Sequence, residues 1–243
     1  MSARAWEAIL AAWSDTDGLV QTTLPSGAGD GDARLEARLG KLREDLSTRL
    51  LGQLIPRLRS ILTEEARQQL GLAADARDAR LDAAEASALT ARGVDDEVKQ
   101  MIVPLAVHLD ERVLGRLPPR FGPVWSRLQE DVIQSDDGGV KFYQNLDELL
   151  AQPQASTLVL EVYLFCLCEG FFGRYIDEPE RIAAYKDRIA RRLPAPLAAP
   201  GKGAASASIA PRASPRVLPA PVYYAVAVTA ALVLIFLLRA LAR

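Results

Sequence analysis

From Val222 to Leu238 the chain reads VYYAVAVTAALVLIFLL, seventeen residues without a charge, and this run constrains the protein more than any other stretch. At about 1.5 Å rise per residue a helix of that length spans roughly 25 Å, and the flanking Pro219 to Pro221 bring it near the roughly 30 Å hydrocarbon thickness of a bilayer. Ten of the seventeen are Val, Leu, Ile or Phe, including Val222, Leu232, Phe236 and Leu238, so insertion gains on the order of 3 to 6 kcal/mol. Tyr223 and Tyr224 stand at one end, where an interfacial aromatic belt places them. A buried core helix is the ordinary alternative. The unbroken length, the apolar character on every side and the short stub Arg239 to Arg243 favour a tail anchor instead.

Charge divides the rest. All 31 carboxylates lie before residue 194, so residues 1–193 carry 24 basic groups against 31 acidic ones, a net charge of −7. An acidic body repels phosphate backbones, which sets nucleic acid aside as a partner. Two Cys and one His exclude a disulfide scaffold and a multi-ligand Cys/His metal site. The first thirteen residues interrupt their apolar positions with Arg4 and Glu7, unlike a signal peptide, so the body is expected to stay cytoplasmic. Lys202, Arg212 and Arg216 before the span, against Arg239 and Arg243 after it, give a weak bias the same way. Residues 194–221, rich in Pro, Ala, Ser and Gly, read as a tether. The expected organisation is residues 1–31 as an N-terminal helix and Gly-rich loop, 32–193 as a helical domain, 194–221 as linker, 222–238 as span and 239–243 as stub.

The body reads as all-α. Trp6, Ile9, Leu10 and Trp13 share one stripe of a first short helix, and Asp32 can cap the next after the Gly-rich break at 24–32. Leu35, Leu39, Leu42, Leu46, Leu50, Leu54, Leu58 and Leu62 continue at steps of four and three, with Pro56 expected to end or kink the helix. Residues 75–92, where Leu81 and Leu89 are the large apolar side chains, predict a mostly solvated helix. Val98, Met101, Ile102, Leu105, Leu109 and Val113 mark another helix, in which Pro104 sits in the first turn or bends the chain. A helix is expected from Pro123, burying Trp125 and Leu128, then a turn at 136–139 and a short helix through Phe142 and Leu150. The most apolar run of the body, Leu158 to Leu167, predicts its central helix, and Glu178 is expected to cap a last helix from Pro179 to Leu193. No sustained period-two alternation predicts strands.

Candidate chemistry is thin. His108 could share a metal site with Asp110 and Glu111, but a surface cluster is the ordinary reading. Asp110 and Glu111, being adjacent, diverge by about 100° on a helix, poor geometry for an acid and base facing one substrate. Cys166 and Cys168 lie about 200° apart around a helix axis and cannot bridge without unwinding it. GAGDG at 27–31 follows no strand and lacks the Lys-Ser or Lys-Thr of a phosphate loop, and no G-x-S-x-G elbow occurs. Catalytic, cofactor-binding and metal residues are therefore not assigned. Glu161 and Glu169, two turns apart on one face and followed by Arg174, form either an internal ion pair or an acidic partner-binding face.

The blocks Trp125, Leu128 and Gln129, then Gly138-Gly139, Phe142, Leu146-Asp147-Glu148-Leu149-Leu150, Glu161-Val162-Tyr163-Leu164 and Gly170-Phe171-Phe172-Gly173-Arg174-Tyr175 resemble the DotU/TssL family in kind and order. Asp110-Glu111 match its Asp-Glu pair. The resemblance covers roughly residues 95–193; upstream, the Trp-bearing helix, Gly-rich loop and Leu stripe depart from the pattern. It implies a non-catalytic component of a type VI or type IVB secretion system in the bacterial inner membrane. It also implies a cytoplasmic domain of two small helical bundles on one C-terminal span. The implied partners are an IcmF/TssM-like membrane protein, baseplate components such as TssK, and a second copy in a homodimer. Gly170 and Gly173 are expected to open one helical face to Phe171 and Tyr175, and Arg174 to bridge Asp110 or Glu111. The rival readings are a tail-anchored adaptor that binds one amphipathic helix and, third, a tethered enzyme in which His108, Asp110 and Glu111 converge on a pocket.

Overall fold

Leucines spaced by four advance about 40° around an α-helix at each step, so a long stripe of such steps rotates away from the core it faces. The computed structural model, which describes residues 2–24, 32–74 and 83–193, shows how this chain keeps the stripe inward. Helix α2 (Asp32–Ser47) passes into a π-helical segment, Thr48–Leu54, and then into α3 (Ile55–Ala74). The wider π turn offsets the drift. Leu39, Leu42, Leu46, Leu50, Leu54, Leu58 and Leu62 are all buried, with Leu35 half-buried at the outer end. The break expected at Pro56 therefore falls just before it: the π segment ends at Leu54, and Pro56, which has no N–H to give, starts the new register.

Helix α1 (Ala3–Thr23) is longer than expected, and Ser2 Oγ caps it by accepting from the Ala5 N–H at 3.1 Å. Its buried stripe is Ala5, Ala8, Ile9, Trp13, Thr16 and Val20. Leu10, expected on that stripe, is 40% exposed, and Trp6 is half-buried. Two alanines form the inner edge and leave room for a neighbouring helix.

Helix α4 (Ala83–Leu114) is the hub of the body, packing against α1, α3, α5 (Leu128–Ile133), α6 (Gly138–Ala151) and α7 (Thr157–Cys168). Residues 101–110 are buried without exception. Pro104 lies well inside this helix rather than in its first turn. The role of central helix, expected of α7, thus falls to α4; α7 is capped by Ser156 Oγ and packs against α4, α6 and α8 (Pro179–Arg192). The helix expected from Pro123 onward is not continuous. Pro119–Val124 forms a 3-10 turn, residues 125–127 are extended, and α5 begins only at Leu128. Pro179 occupies the first turn of α8 as expected, but Glu178 makes no capping bond and pairs with Arg181 at 2.8 Å instead.

No strand occurs among the described residues, and the body is all-helical. The described residues up to Leu193 group as one compact unit. Among the described residues no helix is long and apolar enough to cross a membrane. The tether at 194–221, the run at 222–238, the loop at 27–31 and the side chains of Leu81 and Leu89 lie outside the described residues.

Candidate docking site around Asp110 and Glu111

Adjacent positions on α4 point about 100° apart, so its two neighbouring carboxylates serve two different elements. Asp110 is 2% exposed. Its Oδ1 accepts hydrogen bonds from Trp125 Nε1–H and the Leu128 N–H, and its Oδ2 from the Gln129 N–H, each at 2.9 Å. Leu128 and Gln129 open α5, whose first amides have no partner within the helix, and the residue at the cap position, Arg127, makes no capping bond. Asp110 supplies that cap from across the fold. Burial pushes its carboxyl above the usual carboxylate range, and the three hydrogen bonds oppose the rise.

Glu111 holds the other element. Its Oε1 accepts from the Phe172 N–H at 2.9 Å and its Oε2 from the Gly173 N–H at 2.8 Å. Burial again pushes the carboxyl up against these bonds. From the far side Tyr143 Oη donates to the Phe172 carbonyl at 3.0 Å. The loop needs its glycines for backbone reasons. Gly173 has φ of 52°, a left-handed conformation, and a Cβ there would lie 2.8 Å from the Phe171 ring. A Cβ on Gly139 would come within 3.2 Å of Gly173 Cα, so the Gly-Gly turn and this loop meet backbone to backbone. Gly170, at φ of 94°, turns the chain out of α7. The expectation that Gly170 and Gly173 clear a helical face is corrected: Gly170 lies in the turn that leaves α7, and Gly173 opens the 3-10 turn Gly173–Tyr175.

Aromatic side chains fill the space between. Phe171 is buried with its ring centroid 4.2 Å from that of Phe142 and 5.7 Å from that of His108, and Tyr175 packs on Tyr143 at 4.5 Å. The structure thus brings Asp110, Glu111, Trp125, Phe171, Gly173 and Tyr175 into one junction.

Two expected pairings are absent among the described residues. Arg174 reaches no carboxylate among the described residues; its guanidinium hydrogen-bonds Tyr175 Oη and lies 4.6 Å from that ring's centroid. Among the described residues Glu161 forms no ion pair with Arg174 either. Its Oε2 is buried without a described partner, Glu169 is exposed, and burial raises the Glu161 carboxyl.

His108, Asp110 and Glu111 face three different neighbours. The imidazole meets the Trp13 ring edge-on at 4.8 Å, and burial, with Arg112 second, pushes its pKa down to about 3. Convergence on one substrate, as the enzyme reading requires, is not what these side chains do. A groove of about 500 Å³ lies elsewhere, bordered by Ser2, Glu65, Glu97 and Ser156.

Sequence reasoning missed the ion pair of Arg112 with Asp17 at 2.5 Å, which sits beside Trp13 and ties α1 to α4. It also missed the partners of Asp147, which accepts from Tyr185 Oη at 2.8 Å and from Arg188 at 2.9 Å and so ties α6 to α8. No local spacing carries either signal, since the partners lie far apart in the chain.

Fold and junction together define a class: an all-helical body whose distinctive polar residues hold its own backbone in place. A family model described as type VI secretion system protein DotU matches residues 45–242, and the chain belongs to that family. The match starts well upstream of residue 95, so the π segment and α3 lie inside the shared pattern, and it runs through the apolar segment 222–238. No curated protein and no solved structure matches the chain.

Proposed function

We propose that this protein is a non-catalytic structural component of a type VI secretion membrane complex, or of the related type IVB system, that docks partners at the bacterial inner membrane. Val222–Leu238 crosses the bilayer once, residues 194–221 tether it, and the helical body lies on the cytoplasmic side. Its partners are a large IcmF/TssM-like membrane protein, baseplate components such as TssK, and a second copy of the chain. One observation carries this reading: the family match takes in both the helical body and the apolar run. The junction supports it, because the carboxylates weighed as candidate chemistry are occupied by backbone amides.

Affinity purification of the full chain from detergent-solubilised membranes tests the proposal. Recovery together with an IcmF/TssM-like protein is the expected result. A chain that stays in the soluble fraction after gentle lysis, alone and monomeric, contradicts it. Recovery from membranes with a single unrelated partner would instead favour a tail-anchored adaptor that binds one amphipathic helix.

A further inference from the structure

We propose that the turn Phe172 to Ile176 is a preformed docking knob for an amphipathic protein segment that presents apolar side chains and a carboxylate. The proposal rests on the docking role above and names a surface for it. Phe172 is held on both sides of its backbone, its N–H by Glu111 and its carbonyl by Tyr143, yet the residue is 42% exposed. Ile176, in the same turn, is 68% exposed. An aromatic side chain on a fixed backbone loses little freedom on binding, which is how a contact residue becomes an energetic anchor.

Charge indicates what the knob receives. Arg174 and Arg181 both lie over the Tyr175 ring, at 4.6 and 5.0 Å from its centroid. Arg181 already has Glu178 at 2.8 Å, whereas Arg174, exposed between Phe172 and Ile176, has no carboxylate among the described residues. One of its five N–H donors goes to Tyr175 Oη, and the remaining fork matches a carboxylate. Exposed Glu169 and Asp177 flank the turn and repel a polyanion, so a protein segment with an isolated carboxylate fits better than a phosphate-rich surface.

The test places the photo-crosslinking residue p-benzoylphenylalanine at position 172 of the full chain in native membranes, with the crosslinked peptide mapped by mass spectrometry. The expected product joins position 172 to a partner segment containing apolar residues and an Asp or Glu. Arg174→Glu, with an unchanged melting temperature, should lower its yield by about tenfold or more. Changing the partner's carboxylate to Lys should then restore it. Crosslinking only to lipid, to a segment without a carboxylate, or equally well in Arg174→Glu overturns the proposal. So does no crosslink at 172 while the membrane complex still co-purifies, a result that leaves the proposed function standing. If the complex fails to co-purify, the function falls, and the knob is then judged by the same crosslink and charge swap alone.

Discussion

Between Leu35 and Leu62 the body is held by a row of leucines, each contributing through the apolar area it removes from water. Between His108 and Tyr175 it is held by two carboxylates, an indole, two glycines and a tyrosine hydroxyl, each in a fixed geometry. The difference lies in tolerance. Burial is non-directional, so a leucine can give way to another side chain of similar volume. A buried carboxylate that serves three donors cannot be replaced without stranding them. The motif blocks quoted from the sequence lie in the second region, while the family match also takes in the leucines from residue 45 onward.

The sharpest way to break this contrast is Asp110→Ala, which strands the Trp125 indole N–H and two backbone amides and should cost about 3 to 5 kcal/mol in urea denaturation. Gly173→Ala comes next. The left-handed φ and the nearby Phe171 ring should together cost about 1 to 3 kcal/mol, visible as a lower melting temperature. In the leucine region, Leu46→Met at a fully buried site should cost less than about 1.5 kcal/mol; a loss as large as that of Asp110→Ala would erase the distinction.

The smallest effect at neutral pH belongs to His108→Phe, about 1 kcal/mol, since Nδ1 has no described partner, both ring neighbours are aromatic and the loss is one hydrogen bond to the Cys166 backbone. Its pH dependence carries more information. The folded imidazole titrates at about 3 and the unfolded one near 6.5, so between these values the unfolded chain binds the extra proton. The His108 contribution to native stability therefore falls as pH drops below 6.5, by up to about 1.4 kcal/mol per unit. The shifted carboxylates are common to both proteins and cancel in the difference. Unfolding curves should show the variant gaining on the wild type below pH 6.5 and running parallel to it above pH 7.5.

Much of the fold was legible in the sequence, and the reason is periodicity. The Leu stripe, α6 and the start of α8 at Pro179 follow from spacing and local chemistry alone. What escaped depends on the third dimension. α7 is apolar on every side yet twelve residues long, whereas the hub, α4, hides its full burial behind His108, Asp110 and Pro104, which look like surface or breaker residues. The site was half legible. The motif blocks marked Asp110, Glu111 and Gly173, and their spacing even showed that the two carboxylates diverge. In the sequence that divergence reads only as poor catalytic geometry; in the fold it lets one helix clamp two segments. By charge Arg174 matches a carboxylate, but a charge pattern does not say where a long side chain lies, and Tyr175 claims it.

Amide hydrogen exchange in the Asp110→Asn and Glu111→Gln variants tests the two-way clamp most directly. The clamp predicts faster exchange at Leu128 and Gln129 in the first variant and at Phe172 and Gly173 in the second, each leaving the other pair as protected as in the wild type. Unchanged protection at both pairs in both variants would contradict it.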